Sequence, residues 1–247
     1  MELIVIPDIH LKPWMFEEAS EIMEKNGISC AVCLMDIADD WGQDTNLSLY
    51  SETYDAAISF SKDYPRTFWC YGNHDISYIW EKSESGYSDL AQPVVKEKIY
   101  ELMASLPDPR QLAFVHRADN VIFSHGGLAD LFVKRFVPLR YYDDPDIVLE
   151  VINSLGPYDL WRDMSPLWLR PQFEPVSMYK SRDLLQVVGH TPVKTVSKKK
   201  NYISCDVFST YRNGRPYGSQ EFLIIDTVSG KYRCVRAQRD EVKQNET

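Results

Sequence analysis

Apolar runs that each end in polar residues divide the first part of the chain into alternating strands and helices. Three short runs are rich in β-branched and aromatic residues and predict buried strands, whereas two longer segments carry apolar residues at helical spacing. The order strand–helix–strand–helix–strand predicts parallel strands joined by helical crossovers, with ligands at the carboxyl ends of the strands. The predicted strands lie at residues 3–7, 28–35 and 66–71, and the predicted helices at 13–26 and 47–64.

The rest of the chain is predicted to contain more strands than helices. The runs QLAFVHR and NVIFSHGG flank residues 118–120 and predict a hairpin, and DLLQVVGH predicts another buried strand that ends in Gly-His. The basic sequence SKKK at 197–200 is predicted to be a solvated loop. Further helices are predicted at 94–106 and 146–155, and further strands at 201–209, 221–226 and 231–237.

These elements predict a single domain over residues 1–238, followed by a polar tail at 239–247. The segment at about 129–183 is rich in Pro, Tyr and Trp and is predicted to be a cap-like insert rather than a second domain.

Composition narrows the class of protein. The chain has 247 residues, enough for a core without disulfides. Its formal net charge of −9 argues against a general nucleic-acid or membrane-surface binder, whose footprint would be basic. No signal peptide or run of about 20 apolar residues is visible, and the number of cysteines is odd, so we expect a cytoplasmic protein. Cys30 and Cys33 form a CxxC within an apolar run and are predicted to be strand residues, because a zinc site needs a second such pair.

Carboxylate, amide and imidazole side chains follow the predicted strands. In a parallel sheet these strand ends converge, and several carboxylates, an amide and several imidazoles would be poorly solvated there unless a cation joined them. Mixed oxygen and nitrogen ligands suit Mn, Fe or Zn, and a pair of metal ions suits in-line attack at phosphorus. His116 has no motif around it and is predicted to be a core histidine. The strand-end residues are Asp8, His10, Asp36, Asp39, Asn73, His74, His125 and His190.

Five short blocks in the order PDIH, MDIADD, YGNHD, SHGGL and GHTP carry a resemblance. Together they resemble the calcineurin-like metallophosphoesterase superfamily, and the HGG and GHTP forms are most similar to its phosphoprotein-phosphatase-like branch. The resemblance implies an α/β fold, a four-layer αββα sandwich of two mixed sheets flanked by helices. It also implies hydrolysis of a phosphomonoester by a metal-bridging hydroxide.

The resemblance implies a role for each matching residue. Two divalent transition metal ions are expected, with Mn favoured and Fe, Zn and Ni as alternatives. His74 would be the general acid for the leaving oxygen, and Asp39 would orient it. The first ion would be held by Asp8 and His10, the second by Asn73, His125 and His190, and both by Asp36; Asn73 would also face the substrate.

Three positions depart from the pattern of the protein phosphatases. Met35 replaces a Gly, whereas Asp40 and Tyr71 stand where those enzymes have arginines that neutralise phosphate. Another cation is then needed, and the insert offers Arg170 and Arg162 as candidates, with pairing to Asp159 or Asp163 as the competing interpretation. The block GHTP, with Pro192 in place of a second His, argues against the phosphodiesterases that carry GHxH. The aromatic residues Tyr141, Tyr142, Tyr158, Trp161 and Trp168 are expected either to pack the insert or to stack on a nucleobase.

Two alternatives stay open from the sequence. The first is a nucleotide or dinucleoside-polyphosphate hydrolase or phosphodiesterase, so the partner is a phosphorylated substrate, either a phosphoprotein or a nucleotide. The second is a binding protein on a catalytically dead scaffold. The sequence predicts no membrane partner and no particular oligomeric state.

Overall fold

Two mixed β-sheets form the centre of the computed structural model, which describes residues 1–238. The predicted polar tail at 239–247 lies outside these residues. Eleven strands are found in the described part of the chain: β1 Glu2–Ile6, β2 Ala31–Cys33, β3 Thr67–Cys70, β4 Leu112–Ala113, β5 Val115–Ala118, β6 Val121–Ser124, β7 Leu185–Val188, β8 Ser197–Lys199, β9 Tyr202–Ser204, β10 Glu221–Asp226 and β11 Tyr232–Arg236.

The eleven strands form two separate sheets. The first sheet has six strands in the order β11-β10-β1-β2-β3-β4. Strands β1, β2 and β3 are parallel, as the strand–helix alternation predicts, and β4 adds a further parallel strand. The second sheet has five strands in the order β5-β6-β7-β9-β8, with a parallel centre and antiparallel edges. In both sheets the parallel strands end on one side.

Seven α-helices complete the described part of the chain. The first ends at Asn26, where Gly27 takes the left-handed φ of 65° that glycine adopts readily. The helix that starts at Asn73 was not predicted. The helices are α1 Trp14–Asn26, α2 Leu47–Asp63, α3 Asn73–Trp80, α4 Gln92–Ser105, α5 Asp130–Phe136, α6 Pro145–Asn153 and α7 Pro157–Leu160, with 3-10 helices at Pro109–Gln111 and Leu139–Tyr141.

Alternation along β1 separates two apolar layers. Leu3 and Val5 face the second sheet, whereas Ile4 and Ile6 face helices α1, α2 and α4. Burial of each such side chain contributes about 1.5–3 kcal/mol. A third layer packs α5 and α6 of the 129–183 segment on the second sheet. The order of layers is therefore helix, sheet, sheet, helix, which confirms the predicted αββα sandwich.

The CxxC sequence belongs to these apolar layers. Cys30 is buried between the sheets, and Cys33 is buried on the helical side of the first sheet. Both cysteines are free thiols.

The predicted hairpin is formed by β5 and β6, but two details of the predicted strands were wrong. The run QLAFVHR is not one hairpin strand, because β4 belongs to the first sheet and β5 to the second, with Phe114 between them. The SKKK segment is not a loop, because Ser197–Lys199 form edge strand β8 against β9. Lys198 and Lys199 are exposed there, and charged lysines on an edge strand discourage pairing with other chains.

No helix in the described part of the chain combines the length and the apolar character required to cross a bilayer.

Asn153 at the end of α6 stabilises the point where the chain passes from β4 in the first sheet to β5 in the second. Its Oδ1 accepts hydrogen bonds from the backbone N–H groups of Phe114 (3.1 Å) and Val115 (2.9 Å), and its Nδ2 donates to the carbonyl of Val115 (2.9 Å). One amide therefore satisfies three backbone groups where the chain leaves one sheet for the other.

We predict that Asn153→Ala lowers the free energy of unfolding by about 2 kcal/mol, because it leaves part-buried backbone groups without partners. Urea denaturation measures the change. Ser154→Ala is the matched control, since this neighbouring hydroxyl is exposed and bonds only to the carbonyl of Val151, and we expect a change within about 0.5 kcal/mol. Equal midpoints for the two variants would contradict this role of Asn153.

Candidate metal centre

The predicted site residues lie just beyond the carboxyl ends of parallel strands in both sheets. Asp8 follows β1, Asp36 follows β2, Asn73 follows β3, His125 follows β6 and His190 follows β7. Several of these strand ends turn sharply, with positive φ angles at His10 (45°), Asp36 (42°), Asp39 (63°) and His190 (61°). Non-glycine residues rarely adopt this region, and such strain clusters at functional sites.

Two glycines let the carboxylates approach the neighbouring strand ends. A Cβ atom at Gly72 would lie 1.9 Å from Oδ1 of Asp36, and one at Gly189 would lie 2.0 Å from Oδ1 of Asp8. No side chain fits at either position. The glycines of the YGNHD and GHTP blocks are therefore required by the packing of two buried carboxylates.

Asp36 lies between two groups of ligand atoms. In each of two groups, Asp8–His10–Asp36 and Asp36–His125–His190, the potential ligand atoms lie within 4.8 Å of one another. Oδ2 of Asp36 is 3.1 Å from Nε2 of His125 and 3.9 Å from Nε2 of His10. A shared carboxylate between two sets of donors is the arrangement expected of a pair of metal ions.

Backbone carbonyls determine which imidazole nitrogen is available. Nδ1–H of His10 donates to the carbonyl of Asp39 (2.9 Å), and Nδ1–H of His125 donates to that of Leu34 (3.0 Å). In the neutral form both rings then present the lone pair of Nε2 to the carboxylates. This is how proteins orient histidines that bind metal ions.

Unpartnered acceptors show that the donor set fits a cation. Oδ1 of Asp8 is fully buried and has no hydrogen-bond partner, while its Oδ2 accepts from the backbone N–H of His190 (2.8 Å). Nε2 of His125 faces Oδ1 of Asn73 at 2.9 Å and Nδ1 of His190 at 3.1 Å. A single proton on Nε2 of His125 would serve only one of the acceptors around it, whereas a metal ion can bind several of these oxygen and nitrogen atoms at once.

The electrostatics of the site also favour positive charge. Burial and the charge of Asp206 raise the pKa of Asp8. Burial opposes protonation of His125, yet the carboxylates of Asp36 and Asp8 raise its pKa to about 9. Sequence reasoning missed Asp206, which is buried and accepts a hydrogen bond from Ser209 (2.8 Å). No motif surrounds it, and only the packing of the sheets brings its charge close to Asp8.

A second arrangement joins His74 to Asp39. Nδ1 of His74 lies 2.9 Å from Oδ2 of Asp39, whose Oδ1 accepts hydrogen bonds from the hydroxyls of Tyr50 (2.7 Å) and Tyr78 (2.5 Å). The backbone N–H of His74 donates to Oδ1 of Asp36 (3.0 Å). Burial alone would lower the pKa of His74, but Asp36 and Asp39 raise it to about 10. Among residues 1–238, no hydrogen bond is made to Nε2 of His74.

Asp75 and Glu84 are two further acids that sequence reasoning missed as site residues. Oδ1 of Asp75 accepts from the backbone N–H of Ile37 (3.0 Å) and the hydroxyl of Tyr54 (2.6 Å), which holds the loop that follows Asp36. Oε2 of Glu84 accepts from Nδ2 of Asn73 (2.7 Å), and burial raises the pKa of Glu84 to about 7. Asp75 is the last residue of the YGNHD block, so the sequence could have indicated it, whereas Glu84 lies in no motif.

The candidate phosphate-binding arginines differ in their surroundings. Arg170 donates from Nη1 to the carbonyl of His190 (2.9 Å) and the hydroxyl of Thr191 (3.3 Å), and it is placed there by close packing of the backbone of Leu169 on Gly126. Arg162 instead lies over the ring of Tyr158 (4.1 Å) and donates to its carbonyl. Neither arginine pairs with a carboxylate in the described part of the chain, so the expected alternative of pairing with Asp159 or Asp163 is not found.

Asp40 does not present an uncompensated charge. Its Oδ2 pairs with Nζ of Lys12 at 3.1 Å, and its Oδ1 accepts from the hydroxyl of Thr210 at 3.0 Å. Lys12 is buried and also donates to the carbonyl of His10 (2.9 Å). Asp40, which stands at a phosphatase arginine position, is therefore charge-paired by a lysine that no sequence pattern places there. Tyr71 packs its ring on Phe114 at 5.1 Å.

Some of the aromatic residues of the insert lie beside the site, and others pack away from it. Trp168 contacts the ring of His190 edge-on at 5.6 Å between centroids, and Trp161 packs on Trp168 at 5.0 Å. Tyr142 packs on Tyr179 within the third apolar layer, between α5, α6 and the second sheet. His116 lies apart from the predicted ligands, with Nε2 3.1 Å from the carbonyl of Trp69, and burial lowers its pKa to about 4.

Solved structures show the same fold at low sequence identity. A cold-active protein-tyrosine phosphatase of a psychrophilic Shewanella species superposes with a TM-score of 0.57 and 16% identity, over 95% of this chain and 80% of that one. A further structure of a cold-active protein-tyrosine phosphatase gives a TM-score of 0.55 and 16% identity, over 94% and 78% of the two chains. No curated protein matches the sequence.

The family is established by sequence as well. The model of the calcineurin-like phosphoesterases matches residues 1–221, which include all five blocks and both groups of potential metal ligands. The chain belongs to the calcineurin-like phosphoesterase family.

Proposed function

We propose that the protein is a dinuclear-metal-dependent phosphatase that hydrolyses a phosphomonoester, with His74 as the general acid. The observation that carries the proposal is the position of Asp36 between two groups of ligand atoms, with the His74–Asp39 pair beside it. The Shewanella neighbour is described as a phosphatase, which agrees with this class of reaction, although the likeness shows the fold alone.

Six side chains would hold the ions. Carboxylate and amide oxygens together with imidazole nitrogens suit divalent transition metal ions. Mn²⁺ is the proposed metal, with Fe, Zn and Ni as alternatives. Such ions, when bound, supply activated water and neutralise phosphate charge. Asp8 and His10 would hold one ion, Asn73, His125 and His190 the other, and Asp36 both.

The protein's own groups would handle the leaving oxygen. Tyr50 and Tyr78 hold Asp39, and Asp39 in turn holds Nδ1 of His74, so the orientation of the imidazole is determined before substrate binds. Nε2 of His74 is then the atom that donates a proton to the leaving oxygen. This intact pair also argues against the alternative of a binding protein on a dead scaffold.

Arg170 is proposed to bind a non-bridging oxygen of the phosphate. Its two hydrogen bonds are made by Nη1 to neutral oxygens beside His190, so its other donors stay available for an anion. A monoester dianion gains more from such a guanidinium than a diester does, which favours a phosphatase over a phosphodiesterase. A nucleotide remains a substrate of the same class when it carries a terminal phosphate.

We predict that Asp36→Asn loses Mn²⁺ binding and turnover of an aryl phosphate together, because this carboxylate is shared by both groups of ligands. Isothermal titration with Mn²⁺ and steady-state kinetics measure the two effects. His116→Gln is the control, since His116 lies apart from the site, and it is expected to bind two ions. Full turnover by the wild-type protein in excess chelator would sink the proposed metal dependence.

His74→Ala is expected to keep both metal ions and to slow hydrolysis by about 10²–10⁴-fold, the usual contribution of a general acid. The loss should be smaller for nitrophenyl phosphate than for an alkyl phosphate, because nitrophenolate leaves without protonation. Comparison of kcat for the two substrates provides the measurement. An equal loss on both would argue against proton donation by His74.

For Arg170→Ala we expect a loss of about 1.5–3 kcal/mol in transition-state stabilisation, measured as the ratio of kcat/KM. Arg170→Lys should recover only part of it, because one ammonium does not reproduce the guanidinium fork. Arg162→Ala is the matched control, since its guanidinium rests on Tyr158. Unchanged kinetics in Arg170→Ala would remove this residue from the site.

A further inference from the structure

The segment between α3 and α4 packs directly on the catalytic pair. At Gly86 a Cβ atom would lie 3.4 Å from Cε1 of His74 and 3.4 Å from Cβ of Asp39. Ser88 anchors the segment, because its backbone N–H donates to the hydroxyl of Tyr78 (2.9 Å) and its own hydroxyl donates to the carbonyl of Asp44 (2.5 Å). We call residues 82–88 the covering loop.

The covering loop carries a buried carboxylate into the site. The side chain of Glu84 is only 8% exposed, and its Oε2 accepts a hydrogen bond from Nδ2 of Asn73 (2.7 Å). Its Oε1 lies 3.6 Å from Nδ1 of His74 and has no hydrogen-bond partner. Burial of a carboxylate beside Asp36 and Asp39 is costly, so this side chain calls for a functional explanation.

The hydrogen bond to Asn73 has a consequence for metal binding. The amide of an asparagine can be turned over, so either its oxygen or its NH₂ group faces a given direction. Only the oxygen can bind a metal ion, and in this structure Oδ1 faces Nε2 of His125. Oε2 of Glu84 accepts the hydrogen bond from Nδ2 of Asn73, and this contact holds the NH₂ group on the side of the amide away from His125.

We propose that Glu84 is a positioning residue that locks the amide of Asn73 with its oxygen toward the ion shared with His125 and His190. The inference rests on the proposed metal site and adds to it a residue outside the five sequence blocks. Partners that orient a metal ligand typically change metal affinity by about 10–100-fold when they are mutated. The effect of Glu84 is therefore expected in the affinity for one ion of the two.

The test is titration of the metal-free full chain with Mn²⁺ alone. Glu84→Ala should weaken binding of one ion by about 10–100-fold and leave the other within about threefold of wild type. Glu84→Gln should recover most of this affinity, because its amide oxygen still accepts the hydrogen bond from Asn73. Glu81→Gln is the matched control, since this exposed carboxylate of the same segment pairs with Lys96 and should behave as wild type.

A double-variant cycle decides whether Glu84 acts through Asn73. In the Asn73→Ala background, Glu84→Ala should cause no further weakening, because the amide that it orients is already absent. Additive losses would overturn the inference, as would Glu84→Gln binding as weakly as Glu84→Ala. Should Glu84→Ala fail to fold, Glu84→Met, which fills similar space but lacks the carboxylate acceptor, takes its place in both the titration and the cycle.

Loss of the positioning role and loss of the metal site give different titration results. If Asn73→Ala loses one ion while Glu84→Ala binds both as the wild type does, the positioning role is wrong and the metal site stands. If Asn73→Ala itself binds two ions with wild-type affinity, the proposed ligand set is wrong and the role of Glu84 is lost with it.

Discussion

The burial of Asp36 is the constraint on which the rest of the site depends. Its carboxylate is 2% exposed and lies close to Asp8, so its charge must be compensated from every side. The backbone N–H of His74 donates to one oxygen, and the imidazoles of His125 and His10 approach the other. These groups come from separate loops of both sheets, so the site forms only when the sandwich is complete.

The direction of the parallel strands brings these loops together. Parallel strands end on the same side, which brings the loops after β1, β2 and β3 together with those after β6 and β7. The segment at 129–183 packs on the loop that follows β6: the backbone N–H of Gly126 donates to the carbonyl of Pro166 (2.6 Å), and the backbone of Leu169 lies in close contact with Gly126. This packing places Arg170 against the carbonyl of His190, so the segment brings a guanidinium beside a site built mainly by strand ends.

Charge balance explains how an acidic protein can bind a phosphate. The net charge is −9, and the site itself concentrates carboxylates. Metal ions would offset those that converge on Asp36, whereas Asp40 is offset by Lys12. Arg170 lies beside the site and uses Nη1 for its hydrogen bond to His190, and Glu84 adds a carboxylate that accepts a hydrogen bond from the amide of Asn73. Each buried charge is thus matched to a partner or to an expected ion.

The sequence by itself determined the alternating strands and helices of the first sheet and the residues that come together at the strand ends, whereas the sandwich was implied by the resemblance of the five blocks to a known family. Apolar runs specify buried strands, and a polar residue directly after a strand, such as Asp8 or His190, must lie at the edge where parallel strands end. Only the tertiary structure decided the parts that depend on distant contacts. Lys12 neutralises Asp40, Asp206 acts on Asp8, Glu84 holds Asn73, and residues 112–118 divide between two sheets. None of these has a local pattern, because each is selected by packing between segments far apart in the chain rather than by the periodicity of one element.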